Sequence, residues 1–161
     1  KFIINKMKIS VVYDSKFGNT QKIAETIKEV VERGNEVKVI HVTDTKIKDI
    51  ESPDIVIIGS PTHAGNVSEA TKVLLNMIPK DSLKNKPFAV FDTSVASFGQ
   101  NIFMKGIIKF FGYSAPKMAN VLKKRGAKIV SIQSFFVMGM KGPLKEDEIK
   151  RVKNWAKGII E

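Results

Sequence analysis

The feature that most constrains the fold of this chain is the run PDIVIIGS at residues 53–60, whose middle is continuously apolar. A strand with no polar face belongs in a sheet covered on both sides, as a central parallel strand is. Parallel neighbours need crossover connections, and helical patterns alternate with strand-like runs along this chain. Ile9, Val11 and Val12 read as a first strand, after which Ile23, Ala24, Ile27, Val30 and Val31 recur at helical intervals until Gly34. EVKVIHV alternates as a second strand, TDTKIKDIES has room only for a short helix or loop, and PDIVIIGS is the third strand. Val67, Ala70, Val73, Leu74, Met77 and Ile78 fall on one helical face that Pro79 closes, which predicts a helix over 67–78. KPFAVFDT is a fourth strand, Ala115, Met118, Ala119 and Leu122 mark a helix up to Gly126, and AKIVSIQSFFVMG is a fifth strand, whole or divided. Ile149, Val152, Ala156, Ile159 and Ile160 mark a last helix. This alternation predicts an α/β fold, a three-layer sandwich around a parallel sheet, and five strands in a chain of this size suggest the order 2-1-3-4-5.

With 161 residues and 43% hydrophobic content, the chain suits one domain, expected over residues 7–161. Met7 begins the first strand-like run, so residues 1–6 read as an N-terminal extension or remnant. The absence of cysteine removes disulfides, thiolate catalysis and Cys-ligated metals, and the two histidines lie far apart, so no metal site is expected. No apolar run approaches the ~20 residues that span a bilayer, and KFIINK is too short for a secretory core, which makes a cytoplasmic location the expectation. The formal charge of +11 favours acidic partners, yet only Lys123, Lys124 and Arg125 form a run, and that run ends a helix, where cations complement the dipole. Without an RNP motif, zinc finger or basic heptad region, nucleic acid is not an expected partner.

In sheets of this order, ligands sit outside the carboxyl ends of the strands, near the reversal between strands one and three. Three turns rich in small and hydroxyl residues meet there: DSKFGNT, SPTHAGN and DTSVASFG. The first leads into a helix N-terminus, whose unpaired N–H groups and partial positive charge suit a phosphate beside Ser15, Asn19 and Thr20. Taken alone, that turn favours a plain helix cap by Asn19 or Thr20; the convergence of three turns favours the phosphate. Gly18 is its only glycine, so GxGxxG fails, and no Gly-Lys-Ser/Thr follows.

With these turns in place, the chain from Met7 onward resembles the flavodoxin family, whose members bind FMN noncovalently. SKFGNT is similar to the family's Ser/Thr-x-Thr-Gly-x-Thr phosphate loop at Ser15, Gly18, Asn19 and Thr20, and departs from it at Lys16 and Phe17. The resemblance implies phosphate contacts from this loop, with Phe17 serving through its backbone N–H. It implies that Pro61, Thr62, His63, Ala64, Gly65 and Asn66 line the flavin ring. Gly65, lacking a Cβ, is the position that can turn a peptide carbonyl toward N5. His63 reads equally as an exposed loop histidine. Asp92, Thr93 and Ser94 are implied at the pyrimidine edge, and Phe98 either stacks on the ring or belongs to the core. NIFMKGIIKFFGY, residues 101–113, departs from small flavodoxins and reads as a helical insertion or as an apolar rim for a partner.

The function implied is an FMN-dependent electron carrier between redox proteins with acidic docking surfaces, monomeric or homodimeric, needing no catalytic acid or nucleophile. The alternative is a small FMN-dependent NAD(P)H or quinone reductase, and a non-redox binding module stands behind both. A receiver-like phosphotransfer module would need acids at the end of strand three, where this chain has Ser60, Pro61 and Thr62.

Overall fold

Strands and helices alternate along the chain: β1 (Lys8–Tyr13), α1 (Asn19–Val31), β2 (Glu36–His41), a single 3-10 turn (Val42–Asp44), α2 (Ile47–Glu51), β3 (Ile55–Pro61), α3 (Glu69–Met77), β4 (Pro87–Val95), α4 (Ser114–Lys124), β5 (Lys128–Val137) and α5 (Glu148–Ile160). This computed structural model describes residues 5–96 and 113–161. The five strands form one parallel sheet in the order β2-β1-β3-β4-β5, as the sequence predicts. Because side chains alternate across a strand, the sheet has two apolar faces. Val12, Val56, Ile58, Phe88 and Val90 pack beneath α3 and α4, while Ile9, Val11, Ile57, Ala89 and Phe91 pack beneath α1 and α5. Each such side chain removed from water contributes about 1.5–3 kcal/mol, which is why β3, buried on both faces, sits in the middle.

Two local expectations change and one open reading is resolved. The helix predicted over 67–78 begins at Glu69, because Ser68 Oγ accepts a hydrogen bond from Thr71 N at 3.2 Å and caps it. Its buried stripe is Thr71, Leu74, Leu75 and Ile78, whereas Val73 and Met77 remain 59% and 54% exposed. The apolar positions of α3 support two adjoining stripes, and packing on the sheet selects one. The fifth strand is undivided: Phe88 pairs with Ile129 and Ala89 with Ser131, so Val130 is the extra residue of a bulge. β4 runs on to Val95, which puts Asp92, Thr93 and Ser94 inside a strand rather than in a turn.

Candidate functional site

At the carboxyl edge of the sheet, the loops after β1 and β3 and the end of β4 enclose a cavity of about 360 Å³. Ser15, Lys16, Phe17, Asn19 and Thr20 form one wall, and Pro61, Thr62, His63 and Ala64 form a second. Thr93 and Val95 supply a third, while Val137 and Met140 close the side toward β5.

The first wall is shaped by its backbone. Gly18 adopts φ 91°, a left-handed conformation that strains any residue carrying a Cβ, and its N–H donates to Ser15 Oγ at 3.0 Å. Asp14 Oδ1 accepts from Ser15 N at 2.8 Å and lies 3.1 Å from His41 Nε2, which ties the loop to the end of β2. The first helical bond of α1 runs from Lys22 N to Gly18 O at 3.0 Å. No side chain caps α1, and the N–H groups of Asn19, Thr20 and Gln21 have no partner among the described residues. The capping alternative therefore gives way: Asn19 is already helical, and Thr20 Oγ1 lies 2.8 Å from Thr93 Oγ1. Unpaired donors at a helix N-terminus opening on a cavity form a place for an anion.

The second wall is a hairpin. His63 N donates to Asn66 O at 2.8 Å and Asn66 N to His63 O at 3.0 Å, with Ala64 and Gly65 at φ 49° and 76° between them. Two left-handed residues in succession make the tight turn that Gly accommodates freely and Ala only at a cost of about 1–2 kcal/mol. His63 and Ala64 face the cavity. Gly65 is buried behind them, and Asn66 turns away, its Oδ1 accepting from Lys117 Nζ at 3.4 Å.

Strand periodicity splits the third predicted group. Thr93 points to the cavity, so Asp92 and Ser94 point to the opposite face. Asp92 Oδ2 accepts from Ala115 N at 2.7 Å and so caps α4, whose own N-cap residue Tyr113 offers no side-chain bond. Ser94 Oγ lies 3.1 Å from Asp92 Oδ1 and 3.0 Å from Thr62 Oγ1, and Thr62 Oγ1 lies 2.9 Å from Ser114 Oγ. This network fixes Thr62, a cavity residue, from below. Burial pushes the Asp92 carboxyl above the usual carboxylate range, against hydrogen bonds from Ala115, Ser134, Ser94 and Ser114 that favour its ionised form. Phe98 and residues 101–112 lie outside the described residues, and Tyr113 packs edge-on against Phe136, their ring centroids 6.0 Å apart.

This architecture has relatives of known sequence and structure. Residues 10–137 match the family model described as a flavodoxin domain. The chain belongs to the flavodoxin family. A flavodoxin from Clostridium saccharobutylicum is 30% identical over 118 residues, covering 66% of this chain and 74% of that protein. The solved flavodoxin of Streptococcus pneumonia TIGR4 has the same fold at TM-score 0.72 and 19% identity, covering 95% of this chain and 97% of that one. A variant flavodoxin of Fusobacterium nucleatum, solved bound to flavin mononucleotide, shares the fold at TM-score 0.69 and 18% identity, with 96% of each chain covered.

The sequence pattern of this chain does not single out the residues that wall the cavity toward β5. Val95, Val137 and Met140 line it. A signal was present, since β5 ends at the same carboxyl edge and MGMKGP follows it as a glycine- and proline-bearing turn. No metal-binding cluster of His, Asp or Glu occurs among the described residues, and no helix among them is long and apolar enough to cross a membrane.

Proposed function

We propose that this chain binds FMN noncovalently in the cavity at the carboxyl edge of its sheet and carries electrons between larger redox proteins. The observation that carries this reading is the first wall: unpaired N–H groups of α1 behind a left-handed glycine, opening on a cavity whose other walls are hydroxyl-bearing or apolar. That donor set suits a phosphate, and a cavity of about 360 Å³ falls in the range of small-ligand sites. FMN, once bound, supplies the redox chemistry; the chain supplies binding, access and electrostatics. Ser15, Thr20 and the N–H groups of Phe17, Asn19 and Thr20 hold the phosphate, while the Gly18 N–H keeps Ser15 Oγ in place. Pro61 to Ala64 face the ring, Thr93 offers a hydroxyl between phosphate and ring, and Gly65 lets the peptide at the tip of the hairpin reorient.

Titration of free FMN into the protein, followed by quenching of flavin fluorescence, tests the reading. Replacing Ser15 and Thr20 together by alanine should weaken FMN binding by about 1–3 kcal/mol, because each hydroxyl bonds a charged group. Affinity equal to that of the unaltered protein would remove the phosphate from this loop, and an unaltered protein that leaves FMN fluorescence unquenched would remove the flavin.

Charge points to the partner. The chain carries +11, and Lys16 and Lys141 flank the exposed ring of Phe17 at the mouth of the cavity. Electron exchange with an acidic redox protein should therefore slow as salt rises, whereas reduction by an uncharged small reductant should not. Stopped-flow rates across ionic strength measure this. A protein partner indifferent to salt would mean that the lysines take no part in docking.

A further inference from the structure

The chain leaves β5 through residues 138–143 and returns at once. Met138 N donates to Pro143 O at 2.8 Å, Gly142 N donates to Gly139 O at 3.0 Å, and Val137 faces Leu144 across an antiparallel bridge. The turn is thus closed by its own backbone, which fixes where its tip stands. That tip is wedged against the loop after β1: a Cβ on Gly142 would meet Asn19 Oδ1 at 2.6 Å. Lys141 Nζ stands 5.9 Å from the centroid of the Phe17 ring and Lys16 Nζ 5.4 Å from it, so two cations share one aromatic side chain of that loop. Met140 lines the cavity while keeping 81% of its surface exposed, an apolar side chain standing at the mouth of the site.

We propose that this turn is a fourth wall of the flavin site, in which Met140 covers the bound ring system and Lys141 selects the phosphorylated flavin over the unphosphorylated one. The proposal rests on the FMN reading above. Methionine is unbranched and polarizable, and it can close over a flat ligand without demanding one rotamer. Lys141 Nζ stands 5.9 Å from the ring centroid of Phe17, whose backbone N–H the FMN reading assigns to the phosphate, and with a Debye length of ~8 Å at physiological salt a dianion on that loop feels its charge only partly screened. The two side chains therefore act on different parts of one ligand, and their effects can be told apart.

FMN and riboflavin are titrated in parallel against the unaltered protein, Lys141→Met, Met140→Ala and Lys123→Met. The last removes the same charge from the far end of α4, at the opposite edge of the sheet. Lys141→Met should weaken FMN about two- to fivefold and leave riboflavin unchanged, the size expected of a partly exposed charge pair. Met140→Ala should weaken both flavins by a similar factor, about three- to tenfold, because the covered ring system is common to them. Lys123→Met should not move the ratio of the two affinities. The proposal is overturned for Lys141 if that ratio stays constant or falls equally in Lys123→Met, and for Met140 if both flavins bind its alanine variant as before. An unaltered protein that binds riboflavin and FMN equally weakly would overturn the FMN reading itself.

Discussion

Gly59→Ala is expected to lower the stability of the fold by about 3 kcal/mol, near the upper end for overpacking a core. A Cβ at Gly59 would lie 2.0 Å from the tip of the Phe91 ring, its register partner on β4. The ring cannot step aside. Phe91 is fully buried and meets Phe135 and Trp155 edge-on, with centroids 6.1 and 5.9 Å away. β3 and β4 would have to part just before the residues that build the cavity, Pro61 and Thr93. Urea unfolding measures the loss, and a protein of this size should melt roughly 6–12 °C lower. Adding Phe91→Leu to Gly59→Ala should cost less than the sum of the two single changes, since the shorter side chain vacates the space. A Gly59→Ala protein as stable as the original would mean that the aromatic cluster yields easily.

The second large effect belongs to Asp92. Replacing it by alanine should cost about 2–4 kcal/mol, because the change removes the cap of α4 and leaves buried partners of the carboxylate unpaired. Those partners are Ala115 N and Ser94 Oγ, and through Ser94 the loss reaches Thr62 in the cavity wall. FMN binding should weaken together with stability, although Asp92 does not line the cavity. The pH dependence has a definite sign. Burial raises the folded-state pKa above the unfolded value, so the folded form holds its proton to higher pH than the unfolded chain does. The contribution of Asp92 to stability is therefore greatest below the unfolded pKa and declines as pH rises through the folded one. Asp92→Asn lacks this titration, so its stability deficit relative to the original protein should shrink as pH rises out of the acidic range. Unfolding curves at several pH values test this, and a deficit that grows with pH would reverse the sign assigned to burial.

Much of this protein is legible in its sequence. The layered fold follows from alternation, and five strands in a chain of this size suggest their order, because hydrophobic period is a local property and right-handed crossovers leave few topologies. The glycine-bent loop SKFGNT and the hairpin around Ala64 and Gly65 could also be located from sequence, since both stand between a strand and a helix at the sheet's carboxyl edge. Less legible was the direction of individual side chains at the ends of strands. Asp92, Thr93 and Ser94 read in sequence as one polar group in a turn; in the strand they form, alternate residues must face opposite ways, and Thr93 alone of the three lines the cavity.

What the sequence determined by itself, then, is the layered α/β fold, the order of its strands and the loops at its functional edge, because these depend on periodicity and on residues near one another in the chain. Only the tertiary structure decided that Asp92 caps a helix 23 residues away, that Leu75 rather than Val73 packs against the sheet, and that Met140 lines the same cavity as the loop after β1. Each of these joins segments distant in sequence. Which partners they find is set by strand length, register and the packing of helices on two apolar faces, quantities that no local pattern contains.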